Sequence, residues 1–239
     1  MIMLRKLALV VAVVSGTFVL PALPTQAAPT GGCPYPPSRP VLALTVSPTT
    51  VVAGHGEVVF GQFSHNNCGI GHAAIAVQRR LIVDGSPSGS WTTIRHVTTS
   101  SKGIFVIARS SIHQEELRAV FTKAGAFPTT TSAAIPVSVL EHITAHVSTV
   151  APCRVHISGS TYPAKAHRRV LIQNRGAEGH FHGWSNVWTA TTNSRGDYST
   201  THRLTCNRTY NLSMWIGHDA TDRGNRTNTW FGVKPSRHA

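Results

Sequence analysis

Apolar and polar positions alternate over short stretches along this chain, and no stretch sustains a helical repeat. The clearest case sets Tyr210, Leu212, Met214 and Ile216 against Asn211 and Ser213. A period of two predicts a strand with one buried face. Leu117, Ala119 and Phe121 follow the same rule. Each run stops at Gly, Pro, Ser or Asn, the residues that let a chain turn between strands. This punctuation predicts seven strands near 41–46, 57–63, 75–82, 91–97, 103–108, 117–122 and 134–139. A second seven are expected near 143–147, 154–160, 169–174, 185–191, 196–202, 210–217 and 229–234.

The two sets are one pattern written twice. Val58-Val59-Phe60-Gly61 corresponds to Val155-His156-Ile157-Ser158-Gly159, and Ile75-Ala76-Val77-Gln78-Arg79 to Arg169-Val170-Leu171-Ile172-Gln173-Asn174. Trp91-Thr92-Thr93-Ile94 is matched by Trp184-Ser185-Asn186-Val187. Thr99-Ser100-Ser101-Lys102-Gly103-Ile104-Phe105 is matched by Thr192-Asn193-Ser194-Arg195-Gly196-Asp197-Tyr198. The Trp-to-Gly spacing is twelve residues in both copies, at an offset of 93. Seven short strands in about 95 residues is the arithmetic of an immunoglobulin-like sandwich. The expected fold class is therefore all-β, two consecutive immunoglobulin-like β-sandwiches over residues 41–140 and 141–235. A Pro-rich arm (28–40) precedes them and a short tail (236–239) follows. Near Leu140 and Glu141 one copy runs almost directly into the next, which implies a semi-rigid rod. Tyr210, opening a sixth strand, is placed to make a tyrosine corner.

Residues 1–27 read differently. Arg5 and Lys6 precede the apolar run Leu7 to Leu20, and Pro21 to Ala27 is a polar, Pro-broken tail. This is the anatomy of a secretory signal peptide, with cleavage expected after Thr25-Gln26-Ala27. As a membrane anchor the fourteen-residue run would span about 21 Å, short of the roughly 30 Å hydrocarbon core. No later run is long enough to be a transmembrane span, and Cys33 lacks the aliphatic neighbour of a lipobox. A soluble, secreted monomer is expected. In that compartment Cys33, Cys68, Cys153 and Cys206 form disulfides, with three possible connectivities. Since each copy owns two, the local pairings Cys33 with Cys68 and Cys153 with Cys206 are preferred.

Composition narrows the chemistry. Charged residues make up 13% of the chain, with 22 Lys and Arg against 9 Asp and Glu, a formal charge of +13. Nine carboxylates leave little material for acid chemistry. Gly85-Ser86-Pro87-Ser88-Gly89 imitates a nucleophile elbow but has proline at its centre, and no His-Glu-x-x-His occurs. Glu115 and Glu116 are neighbours that face opposite ways on a strand, so they make a poor glycosidase pair. No enzyme and no cofactor are expected. His180 and His182 would point the same way from an extended segment, but two imidazoles do not close a metal site.

The excess charge is uneven. Residues 28–140 hold eight Lys and Arg and four acids, whereas 141–239 hold twelve and five. The second copy also carries Trp184, Trp188, Trp215 and Trp230. Cations and aromatic planes together are what a polyanion or glycan surface needs, and the expected binding face comprises Arg168, Arg169, Trp184, Trp188 and Trp215. An anionic cell-envelope polymer or a protein fits an exported, basic module. Nucleic acid does not, because the protein leaves the cell and no binding motif is present. The alternatives are a stalk that binds nothing and a carrier of a small ligand or metal. Asn207-Arg208-Thr209, Asn211-Leu212-Ser213 and Asn225-Arg226-Thr227 would accept glycans in a eukaryotic secretory host.

The Ser47-Pro48 opening, the Gly61 strand, Val77-Gln78-Arg79, the lone Trp91 and the Thr-x-x-x-Gly-x-Phe/Tyr turn together resemble the small Ig-like repeats of secreted bacterial, particularly actinobacterial, surface proteins. The resemblance implies a sandwich used as a stalk or interaction module, with no catalytic residues to carry over. Leu44-Thr45-Val46-Ser47-Pro48 is also similar to the opening of the secreted apoproteins that carry enediyne antibiotics, whose paired cysteines around the ligand cleft are missing here.

Overall fold

A computed structural model describes residues 39–124, 127–175, 184–227 and 231–236, and for Trp184 the backbone alone. Every regular element among them is a strand, and among these described residues no helix is long and apolar enough to cross a membrane.

In chain order the first strands are β1 (Val41–Ser47), β2 (Thr50–Val52), β3 (Gly56–His65), β4 (Ala74–Val83), β5 (Ser86–Thr98), β6 (Ile104–Ser110), β7 (Glu115–Phe121) and β8 (Ile135–Leu140). One sheet places β3 between β1 and β6, and the other runs β2-β8-β7-β4-β5. The second set is β9 (His146–Ala151), β10 (Arg154–Tyr162), β11 (Arg169–Arg175), β12 (Trp184–Thr191), β13 (Asp197–Arg203), β14 (Tyr210–Ile216) and β15 (Phe231–Val233). Here β10 lies between β9 and β13, and the facing sheet runs β12-β11-β14-β15. Two sheets closing over one apolar layer, twice in succession, is the immunoglobulin-like sandwich arrangement.

Each sandwich owns its core. Val59, Phe63, Ile75, Val77, Leu117, Ala119 and Val137 fill the first, while Val155, Ile157, Val170, Ile172, Leu212, Met214 and Ile216 fill the second. These are the alternate positions of their strands, so the period of two has become two buried faces. Tyr210 packs on the second core and its hydroxyl accepts the Thr205 N–H at 3.1 Å, the backbone link of a tyrosine corner.

The repeated motif has a physical content. Gly61 lies in register with Phe105 and Gly159 with Tyr198, and in each case the aromatic ring covers the glycine. A Cβ would meet the Phe105 ring at 2.0 Å at Gly61, and the Tyr198 ring at 2.7 Å at Gly159. Thr99 and Thr192 do the same work 93 residues apart. The Thr99 hydroxyl accepts from Ala73 N–H at 2.9 Å and donates to Ile70 C=O at 2.8 Å. The Thr192 hydroxyl accepts from Arg168 N–H at 2.8 Å and donates to Lys165 C=O at 2.6 Å.

Three elements differ from the expected pattern, and one of them is β2, an additional strand that runs parallel to β8 with Thr50–Val52 in register with Ser138–Leu140. The strand expected from Trp91 begins at Ser86, because Asp84 and Gly85 take φ of 50° and 75° and close a two-residue hairpin with both central residues left-handed. The strand expected over 143–147 is split: His142 and Ile143 pair with Tyr162 and Thr161, and β9 resumes at His146. Between them the Thr144 hydroxyl takes the Ser160 N–H at 3.0 Å, so a side chain replaces a ladder bond.

Candidate functional site

The loop that follows β14 leaves the second sandwich and docks on the end of the first. Four backbone hydrogen bonds fasten it. Asp84 N–H donates to Ala220 C=O at 2.7 Å, Gln114 N–H to Thr221 C=O, Glu141 N–H to Arg223 C=O and Arg223 N–H to Val139 C=O, the last three at 2.9 Å. Beside it the His55 and His142 rings meet edge to face at 5.5 Å, and the Tyr162 ring lies close against Gly54.

Acid and base side chains fill this joint. Asp219 Oδ1 folds the loop by accepting the N–H groups of Thr221 at 2.9 Å and Asp222 at 2.8 Å, an Asx turn. Its Oδ2 receives Lys165 Nζ at 2.5 Å and also Arg168 Nη1. Lys165 further donates to Asp222 and to Thr221 Oγ1. The wholly buried Asp222 carboxylate also faces His113 Nδ1, a first-sandwich residue, at 3.2 Å. Arg168 Nη2 donates to Gly217 C=O at 2.5 Å, and Nη1 stands 3.2 Å from Glu141 Oε2. Among the described residues neither Glu141 oxygen receives a hydrogen bond, although the side chain is fully buried.

Burial and ion pairing compete in the titration of these groups. Desolvation pushes Glu141 up to about 7, against the pull of Arg168 and Lys165 and with the added repulsion of Asp219 and Asp222. Burial also works to raise Asp219, but the hydrogen bonds from Lys165, Thr221 and Asp222 overcome it and hold the carboxyl at about 2. For Lys165 desolvation works to lower the pKa, but its hydrogen bonds to the Asp219 and Asp222 carboxylates outweigh it and raise the pKa. A second buried cluster lies at this end of the first core. Arg109 reaches Glu57 at 3.3 Å and Glu115 at 2.5 Å, and the Ser111 hydroxyl lies 2.6 Å from a carboxylate oxygen of each. Burial raises Glu57. Glu116, on the opposite face of β7, pairs instead with Arg80 at 2.7 Å.

The five residues expected to share a binding face are divided. Arg168 is engaged in the joint. Arg169 is exposed on β11 opposite Thr191. Trp188 lies opposite Ile172, packs on the second core and stacks on His202 at 4.5 Å with 10° between the planes; burial lowers the His202 pKa. Trp215 is half-buried on β14, in register with Leu171 and Arg226 on the outward positions. Trp184 pairs through its backbone with Arg175. In the first copy, Trp91 instead has the guanidinium groups of Arg80 and Arg118 over its ring, 4.7 and 4.2 Å from the ring centre. His180, His182, Trp230 and Cys33 lie outside the described residues. Cys153 and Cys206 are bonded, with Cα atoms 5.0 Å apart, and Cys68 is disulfide-bonded as well.

The joint itself was not foreseen from the sequence. Its signals were local: an acid, Glu141, at an alternate position in line with Val137, Val139 and Ile143, and two aspartates three apart in Asp219-Ala220-Thr221-Asp222.

No protein-family model matches the sequence, and no curated protein matches it either. Among solved structures, a tetra-tandem repeat from the extending region of a large adhesion protein is similar at 16% identity and a TM-score of 0.31, covering 80% of this chain and 49% of that one. The D0-D1 domain of intimin is similar at 13% identity and a TM-score of 0.30, covering 80% and 100%. The Yersinia pseudotuberculosis adhesin InvE is similar at 13% identity and a TM-score of 0.34, covering 80% and 59%. The chain thus spans about half the length of the first of these.

Proposed function

We propose that this is an exported, non-enzymatic tandem immunoglobulin-like module whose basic second sandwich contacts an anionic cell-envelope component or a protein. One observation carries the reading. Of the five acids in residues 141–239, Glu141, Asp219 and Asp222 are enclosed in the joint, where among the described residues Lys165 and Arg168 are the two cationic side chains of the second copy that pair with them. The remaining charge on the second sandwich is strongly one-sided, and a surface of one sign draws polyanions over a range set by salt. The Cys153–Cys206 bridge fits an oxidising compartment. Retention of the full chain on purified envelope polymer should fall steeply with added salt, and retention indifferent to ionic strength overturns the reading.

A second reading, a structural stalk with no ligand, is favoured by the joint, since backbone hydrogen bonds and enclosed ion pairs hold the two sandwiches in one attitude. It requires that the envelope polymer is not retained at any salt concentration. The third, a small-ligand or metal carrier, requires bound metal or chromophore in elemental and absorbance analysis of the secreted protein.

A further inference from the structure

The end of the second sandwich away from the joint is tied into a covalent knot. Cys153 N–H donates to Ser236 C=O at 3.0 Å, Leu204 N–H to Cys153 C=O at 2.8 Å, and Asn207 N–H to Pro235 C=O at 2.8 Å. The Cys153–Cys206 disulfide closes it. A cation flanks each of these positions. Arg154 follows Cys153, Arg203 precedes Leu204, Arg208 follows Asn207 and Lys234 precedes Pro235, and all four are exposed. Each Cα is thus about 3.8 Å from a residue of the knot.

Arg154 and Arg203 are direct cross-strand partners on β10 and β13. Their strand neighbours Val155 and His202 turn inward, so both arginines point outward. Like charges opposed in this way repel. Among the described residues no acid answers them: Glu141, Asp219 and Asp222 are in the joint, and Asp197 lies six residues along β13 from Arg203, about 20 Å away. Glu178 lies outside the described residues. A disulfide that holds mutually repelling cations together prepares a site whose repulsion an incoming anion relieves.

We propose that this stapled pole, built from Arg154, Arg203, Arg208 and Lys234, is the anion-binding surface of the protein, and that its ligand is a linear phosphate-bearing chain. The assignment rests on the basic-module reading above and locates it. A planar carboxylate presents both oxygens to one guanidinium fork, whereas each internal phosphate of a linear chain holds its two terminal oxygens apart on a tetrahedral centre, so that each can face a different guanidinium, which suits two arginines facing one another. Single exposed contacts are weak, so a chain that engages several cations at once is the fitting occupant.

The test uses the full mature chain and fluorescent linear inorganic polyphosphate, titrated over a series of salt concentrations, with polyglutamate alongside. Four contacts predict a slope of log affinity against log salt of about −3. The double variant Arg154→Thr/Arg203→Thr should halve that slope and weaken binding at least about tenfold. The double variant Arg95→Thr/Arg195→Thr removes two exposed charges elsewhere and should weaken binding less than about twofold. Equal losses in the two double variants overturn the pole while leaving the basic-module reading in place. Polyglutamate bound as tightly as polyphosphate overturns the phosphate assignment. No salt-dependent binding of either polymer by the unaltered chain overturns the pole and its ligand and counts against the basic-module reading, which the envelope-retention assay then decides.

Discussion

Glu141→Gln isolates the electrostatics of the joint. The carboxyl is fully buried, lacks a hydrogen bond to either oxygen among the described residues, and has one guanidinium at 3.2 Å. Burial moves its pKa from 4.5 to about 7. Between those values the folded protein holds a proton that the unfolded chain has lost, so the Glu141 contribution to stability falls as pH rises through the window and is flat on either side. A displacement of that size corresponds to about 3 kcal/mol. Other groups titrate in the same range, and His202 acts in the opposite sense: burial lowers its pKa, so its contribution grows as pH rises. The informative quantity is therefore the difference between the variant and the unaltered protein. Urea unfolding of both, followed by tryptophan fluorescence from about pH 4 to about pH 8, should show Glu141→Gln gaining up to about 3 kcal/mol relative to the parent as pH rises. A difference that stays constant, or one that shrinks with pH, would refute the reasoning.

Other consequences can be checked by similar means. Lys165→Met leaves the buried Asp222 without its ammonium and should cost about 3 kcal/mol in urea unfolding at neutral pH. Gly159→Ala drives a Cβ into the Tyr198 ring and the Thr144 carbonyl and should lower the melting temperature sharply, whereas Gly56→Ala, whose nearest neighbour is 3.9 Å away, should stay within a few degrees of the parent. Reducing the Cys153–Cys206 bridge, which closes a loop of 53 residues, should remove about 4 kcal/mol by the chain-entropy model, so the same reductant should cost a Cys153→Ala/Cys206→Ala protein less by about that amount, the bridge at Cys68 being the one left to break. Amino-terminal sequencing of protein recovered from culture medium should begin at Ala28 if residues 1–27 are the export signal.

Local chemistry made the sandwiches legible. Alternating positions such as Leu212, Met214 and Ile216 bury one face of a strand whatever lies opposite, and the Gly and aromatic positions of the repeat are demanded by one close approach, Gly61 under Phe105 and Gly159 under Tyr198. The hairpin turn Asp84-Gly85 was also written locally, in a dipeptide suited to left-handed backbone. The candidate surface was harder to read. Arg168 and Arg169 are adjacent in sequence, yet one is drawn into the joint and the other stays exposed. Trp188 and Trp215 were grouped as one aromatic surface, yet one turns to the core and stacks on His202 while the other lies on the outward positions of β14.

Strand class, the duplication and the excess of positive charge follow from the order of residues alone, because each depends on neighbours a few positions apart or on a simple count. Which charges remain on the surface was decided by tertiary structure. Glu141, Lys165, Asp219 and Asp222 meet only when the loop after β14 docks on the first sandwich, and Arg154, Arg203, Arg208 and Lys234 converge only because strand pairing and a disulfide bring four separate segments to one end. An ion pair or a charged patch is a relation in space, and no local pattern encodes the distance between residues that lie on separate segments of the chain.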